Sequence, residues 1–111
     1  KDGEAVGPFG VMGAFMQPQG HLQVIMNTID FGMNPQEALD APRWQWVSDK
    51  EIHVERAFPY AITEELARRG HKMVVDVSDG SFGRGQIIWK NEDGVLVGAT
   101  EPRADGTVAA W

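Results

Sequence analysis

Cysteine is missing from all 111 residues. That excludes a disulfide framework and thiolate chemistry, and it leaves the compartment open, because cysteine-free chains occur on both sides of a membrane. Basic residues are scarce: ten Lys and Arg stand against sixteen Asp and Glu, a net charge of −6. That balance argues against non-specific binding to nucleic acid or to an anionic membrane, so neither is expected as a partner. No apolar run approaches the length of a transmembrane helix. The opening Lys1-Asp2-Gly3-Glu4 has no initiator methionine and is not a signal peptide, so the chain is expected to be a piece of something longer. What is present is globular, with 42% hydrophobic residues, four Trp and five Phe. The length suits one modest domain, residues 1–111.

The stretch Gly10 to Met33 organises the rest. It opens as an apolar strand, Phe9 to Met16, broken by the small residues Gly13 and Ala14. Small residues at the end of a buried strand mean that another backbone packs close or that something small approaches the amide groups. A turn is expected at Gln17-Pro18-Gln19-Gly20, with Pro18 in the first helical turn, where its missing N–H costs nothing. Leu22, Ile25, Met26, Ile29 and Met33 then recur at three- and four-residue spacing, which predicts one buried helix face. That helix should run to about Phe31, with Gly32 just past its end.

Asp2-Gly3 reads as a hairpin signal whose preceding strand is missing. Asn34-Pro35-Gln36-Glu37 restarts a helix with Asn as N-cap and Glu in capping-box position. Pro42 keeps it short by biasing Ala41 away from helical geometry. Arg43 to Val47 and Glu51 to Glu55 alternate and form a predicted hairpin around Ser48-Asp49-Lys50. Pro59 opens a helix to Arg69 with Ile62 and Leu66 facing inward, stopped by Gly70. Met73 to Val77 is a strand, Ser78 to Gly85 a glycine-rich loop, and Gln86 to Lys90 and Val95 to Thr100 a hairpin around Asn91-Glu92-Asp93-Gly94. Helices separate from hairpins, so the class is α+β with a largely antiparallel sheet.

The residues carry little self-contained chemistry. His21, His53 and His71 show no ligand spacing, so no metal or other cofactor is expected. Ser48, Ser78 and Ser81 lack a G-x-S-x-G setting. Ser81-Phe82-Gly83-Arg84-Gly85 could cradle a phosphate, but a strand follows it rather than a helix N-terminus, and a structural turn is the better reading. Glu64 and Glu65 point different ways on one helix and are solvated. Asp76 and Asp79 flank a turn and serve it. The four Trp are assigned to core and hairpin packing.

Several stretches taken together resemble the small subunit of γ-glutamyltranspeptidases. They are Gly10-Val11-Met12-Gly13-Ala14 with Leu22-Gln23-Val24-Ile25; Asn27 to Ala38, which looks like N-x-I-D-[FY]-G-[ML]-N-x-x-E-A; Ala41-Pro42-Arg43-Trp44; Gly70-His71; Phe82-Gly83-Arg84-Gly85-Gln86; and Gly98-Ala99-Thr100-Glu101-Pro102-Arg103. Each block alone is weak, and six in order are specific. The resemblance implies part of an N-terminal-nucleophile hydrolase, an αββα sandwich with helices packed on largely antiparallel sheets. It implies a precursor that cleaves itself, so that a new N-terminal threonine, with its own α-amine as base, attacks the γ-glutamyl carbonyl of amides such as glutathione. The acyl group then passes to water or an amine.

That threonine is not in this chain, so the resemblance makes it the C-terminal part of a small subunit, inactive alone. Its implied partners are the large subunit and the N-terminal part of the small subunit, together with a γ-glutamyl or related amide substrate. By the same resemblance, Gly13 and Ala14 are the paired residues whose backbone N–H groups form the oxyanion hole. Ala at the second position keeps the amide but resists φ > 0 if the site requires it. Met12 stands where the family usually has Pro, and Glu101 where it usually has Asp. The first departure leans toward a divergent acylase or amidohydrolase. A non-catalytic interaction domain that kept the fold is the alternative from another class. Unpaired strand edges lead to the expectation that the isolated piece forms a homodimer.

Overall fold

The computed structural model describes residues 1–78 and 80–111; the turn role expected of Asp79 lies outside them. Strand β1 (Phe9–Met12) leads to a 3-10 turn (Ala14–Met16), then to helix α1 (Gln17–Ile29). The strand thus ends at Met12 rather than Met16, and the turn sits at Gly13–Met16 rather than Gln17–Gly20. The cause is local: Gly13 and Ala14 both take positive φ, 149° and 49°, which no extended strand can carry. The Met16 N–H donates to the Gly13 carbonyl at 2.8 Å and closes the turn.

Helix α1 keeps Pro18 in its first turn and ends at Ile29, with Gly32 at φ 66° turning the chain away. Its burial differs from the expected stripe. Leu22, Met26 and Ile29 are exposed, Ile25 and Met33 only half-buried, and the buried side is Gly20, Gln23 and Val24. Gly20 lies so close to Val11 that a Cβ there would sit 2.7 Å from its Cγ1. The helix therefore turns its smallest residue, not its largest, toward β1.

Helix α2 (Pro35–Asp40) has the predicted capping box: the Glu37 N–H donates to Asn34 Oδ1 and the Asn34 N–H to Glu37 Oε2, both at 2.9 Å. Ala41, at ψ 135°, has left helical geometry before Pro42. Strands β2 (Trp44–Ser48) and β3 (Glu51–Glu55) form the predicted antiparallel hairpin, and β4 (Lys72–Asp76) joins β3 in parallel after helix α3 (Tyr60–Arg68). Ile62, expected inward, is exposed, Leu66 is half-buried, and no residue of α3 is fully buried.

Strands β5 (Arg84–Lys90) and β6 (Leu96–Thr100) form the last hairpin, and β5 also pairs with β1. Among the described residues the result is two three-stranded sheets, β1-β5-β6 and β2-β3-β4. Every pairing but β3–β4 is antiparallel, and the class is α+β as read from the sequence. Helices α1 and α2 pack on the first sheet and α3 on the second. The core is Val11, Val24, Leu39, Ile87 and Ala99, with Phe9 and Trp89 against it. Of the other Trp, Trp44 is half-buried, Trp46 closes the β2–β3 turn by donating its indole N–H to the Asp49 carbonyl, and Trp111 is exposed. Among the described residues no helix is long and apolar enough to cross a membrane.

Candidate functional site

The corner after β1 has unusual backbone chemistry. Gly13 sits at φ 149°, ψ 32°, a region that side chains avoid. Ala14 follows at φ 49°, where an L-residue's Cβ crowds the backbone at a cost of about 1–2 kcal/mol. Among the described residues neither the Gly13 nor the Ala14 N–H has a hydrogen-bond acceptor. Ala14 is exposed, and Phe15 beside it is 90% exposed. Phe15, Pro18, Trp44, Trp46 and Val47 line an apolar groove of about 730 Å³ next to this corner.

Gly83 supports the corner from behind. A Cβ on Gly13 would lie 3.0 Å from the Gly83 Cα. One on Gly83, itself at φ 77°, would lie 2.7 Å from the Met12 carbonyl oxygen. Arg43, 1% exposed, donates from Nη1 to the Phe82 carbonyl at 3.0 Å and to the Gly83 carbonyl at 3.1 Å. Its Nη2 meets Glu101 Oε2 at 2.8 Å, and the same oxygen accepts the Gly85 N–H at 2.6 Å. Arg103 completes the cluster, donating to Glu101, to Glu55 and to the carbonyls of Leu39 and Ala41.

The electrostatics follow from burial and pairing. For Glu101, burial opposes ionisation, but hydrogen bonds from Arg103 and the Gly85 N–H and the charge of Arg43 outweigh it, so the carboxyl titrates below the usual range. Burial likewise opposes the charge on Arg103, and Glu55 and Glu101 more than restore it, raising its pKa. Arg43 is lowered, first by burial and then by Arg103 nearby. This cluster went unread as a unit in the sequence. Its signal was there, in two arginines each beside a proline, Pro42-Arg43 and Pro102-Arg103, with Glu101 between apolar Ala99 and the second.

The other candidates are scattered. His21 donates through Nδ1 to the Gln17 carbonyl at 2.7 Å and accepts the Val11 N–H on Nε2, so it braces β1. His53 bonds Glu51 and lies 3.7 Å from Asp76. His71 lies apart, at the start of β4. Asp76 accepts from both the N–H and the hydroxyl of Ser78, which, with the further bonds of Ser81 and His53, lowers its pKa to about 2. That is the turn role expected of it. Ser81-Phe82-Gly83 turns into β5, as the structural reading of that loop predicted. Among the described residues no three His, Cys, Asp or Glu side chains are grouped to hold a metal. A cleft of about 790 Å³ lies on the side of Glu55 and Arg103, lined also by Asp40, Asp76 and Asp105.

Comparison with known proteins finds relatives over the whole chain. The model described as gamma-glutamyltranspeptidase matches residues 1–111. The cephalosporin acylase from Bacillus halodurans is 64% identical in sequence and superimposes with a TM-score of 0.97, over 100% of this chain and 21% of its own. The Acylase ACY 1 proenzyme of Pseudomonas sp. (strain SE83) is 40% identical over 110 residues, 99% of this chain. The glutathione hydrolase proenzyme of Escherichia coli (strain K12) is 39% identical over 85 residues, 75% of this chain. The chain spans 19% of the length of the Pseudomonas relative and 14% of that of the Escherichia coli relative.

Proposed function

The chain belongs to the gamma-glutamyltranspeptidase family, and from that premise we propose that it is the C-terminal part of a self-processing enzyme that transfers acyl groups from amides to water or an amine. In this reading Gly13 and Ala14 supply the oxyanion hole. The observation that carries it is the corner itself: two successive residues at positive φ whose amides have no acceptor among the described residues, with Ala14 exposed. A strained backbone that offers unpaired donors at a strand end is the form an oxyanion hole takes.

The reaction divides between this chain and the rest of the enzyme. The threonine hydroxyl oxygen of the remainder bonds to the substrate carbonyl carbon, and its proton moves to the threonine α-amine. The carbonyl π electrons move onto oxygen, and the Gly13 and Ala14 N–H groups stabilise that charge. The C–N bond then breaks, the amine leaves with the proton, and the acyl ester is resolved by water or an acceptor amine. The donated bonds strengthen as charge develops, so the corner acts on the transition state more than on the substrate.

The leading substrate class is a γ-glutamyl amide such as glutathione. A divergent acylase is the second reading. It is favoured by Met12 in place of the family's usual Pro, by the acylase names of two relatives, and by the apolar groove at Phe15 and Trp46, which suits an apolar substrate portion. Comparing γ-glutamyl anilide with glutaryl anilide on the full-length protein decides between them, because the two differ only in the α-amino group. The oxyanion role is tested in the same protein. Gly13→Val is expected to lower kcat about 100- to 1000-fold and, with a β-branched residue at φ 149°, to lower the thermal midpoint as well, so kcat is read well below that midpoint, while Ala14→Gly stays within a few-fold. A Gly13→Val enzyme that matures and keeps its kcat refutes the role.

A further inference from the structure

The peptide plane between Met12 and Gly13 has two ends. One is the Gly13 N–H, a donor in the reading above. The other is the Met12 carbonyl oxygen, and Gly83 lies against it, so close that a Cβ on Gly83 would come to 2.7 Å of that oxygen and 2.8 Å of Val11 Cγ1. A peptide plane is rigid, so whatever fixes the carbonyl end fixes the direction of the N–H. Gly83 is buried and held in turn. Arg43 Nη1 ties down its carbonyl and that of Phe82, and Arg43 is anchored by Glu101.

From this contact we infer that Gly83 is a positioning residue for the Gly13 amide, with Arg43 as the clamp that keeps it in place. The inference rests on the oxyanion reading and adds a second residue, distant in sequence, on which the donor's aim depends. Gly83 touches no substrate. It works by leaving free the space beside the Met12 carbonyl oxygen, next to the Met12–Arg84 pair of the β1–β5 ladder. A methyl group there would swing that carbonyl, and with it the N–H at the far end of the same plane. Donor geometry in an oxyanion hole tolerates little displacement, so the loss falls on kcat and leaves KM in place.

A second glycine makes a matched control. Gly94, in the β5–β6 turn, sits at φ 81° against 77° for Gly83, and a Cβ on it meets nothing within 4 Å. Gly83→Ala and Gly94→Ala therefore both place a Cβ at nearly the same positive φ, and only the first touches the Met12 carbonyl. In the full-length enzyme Gly83→Ala is expected to lower kcat about 100-fold, the scale of losing one oxyanion donor, with KM within about twofold. Gly94→Ala is expected to keep kcat. If Gly83→Ala keeps kcat as Gly94→Ala does, the inference is overturned, and Gly13→Val then separates the two ideas. Loss of kcat in Gly13→Val leaves the oxyanion reading standing without the positioning role, and retention removes both. If Gly83→Ala yields no folded enzyme, Arg43→Lys takes its place, because an ammonium keeps the charge beside Glu101 but cannot reproduce the guanidinium's planar fork to two carbonyls. An Arg43→Lys enzyme with unchanged kcat overturns the inference equally.

Discussion

Ala14 is the residue at which the chain departs from its local preference. Glycine would take φ 49° without the Cβ conflict, so Ala14→Gly is expected to stabilise the isolated chain by up to about 1 kcal/mol in a urea titration, the relief of strain being partly offset by glycine's unfolded-state entropy. A loss of stability would mean that the Ala14 methyl makes a contact worth more than the strain. Glu101 behaves in the opposite way, because it is 1% exposed between two arginines. Glu101→Ala leaves the buried Arg43 charge without its carboxylate, while Arg103 keeps Glu55, and it is expected to cost about 3–5 kcal/mol, readable as a lower urea midpoint. The pH dependence has the same sign at Glu101 and Asp76. Both carboxyls titrate lower in the folded chain than in the unfolded one, so their contribution is complete above the unfolded value and drains as pH falls through the folded one. For Asp76 that window runs from about 4 down to about 2, and Asp76→Asn should flatten the fall in stability there. The sequence made Asp76 legible, since an Asp two residues before a Ser at a strand end announces its own turn. Arg43 was legible only as part of a resemblance, because the proline beside it hints at a special position but does not say whether the arginine ends in solvent or inside a cluster of carbonyls.

At the scale of elements, most of the order was readable and the orientation of helices was not. Asn34, Pro35 and Glu37 fixed the start of α2 because a capping box is a local hydrogen-bond pattern, and Asn91–Gly94 fixed the last hairpin for the same reason. Helix α1 misled because its large apolar residues form a stripe while its packing is decided by Gly20 and by glutamines. Gln19 accepts the Trp46 N–H at 2.7 Å and donates to the Trp46 carbonyl at 3.1 Å, and Gln23 treats Trp44 the same way at 3.1 and 2.9 Å. Two side chains one helical turn apart thus meet two strand residues two apart, and one of them, Gln23, lies on the buried side. A pair of substitutions in the isolated chain tests this. Gln23→Leu leaves the Trp44 N–H and carbonyl without partners and is expected to cost about 1–3 kcal/mol. Ile29→Ser, at a position 69% exposed, should change stability by no more than about 0.5 kcal/mol. Were the apolar stripe the packing face, the order of the two costs would reverse.

The whole molecule is more open than its length calls for. Its radius of gyration is 15.2 Å, against about 13 Å for a self-contained domain of this size. Phe15, Leu22, Ile29, Phe31 and Leu96 are all at least half exposed. Both observations fit a chain that spans about a fifth of its relatives. Two outcomes are expected of the isolated 111 residues. They should self-associate, so that light scattering after size exclusion gives a mass above 12.2 kDa that rises with concentration. They should also leave γ-glutamyl anilide untouched, since the proposed reaction assigns the oxyanion donors to this chain and the nucleophile to the rest of the enzyme. Turnover above a buffer blank that survives repurification would overturn the division of labour proposed here.

The glutamine contacts of α1 also set how the second sheet can grow. They consume the outward N–H and carbonyl groups of Trp44 and Trp46, so the β2 border accepts no newcomer there, while β4 is the other border of the same sheet. The sheet has a valence of one. Two copies meeting through it would join β4 to β4 and stop, a closed pair with no free border to pass on, and this sheet therefore terminates assemblies rather than propagating them.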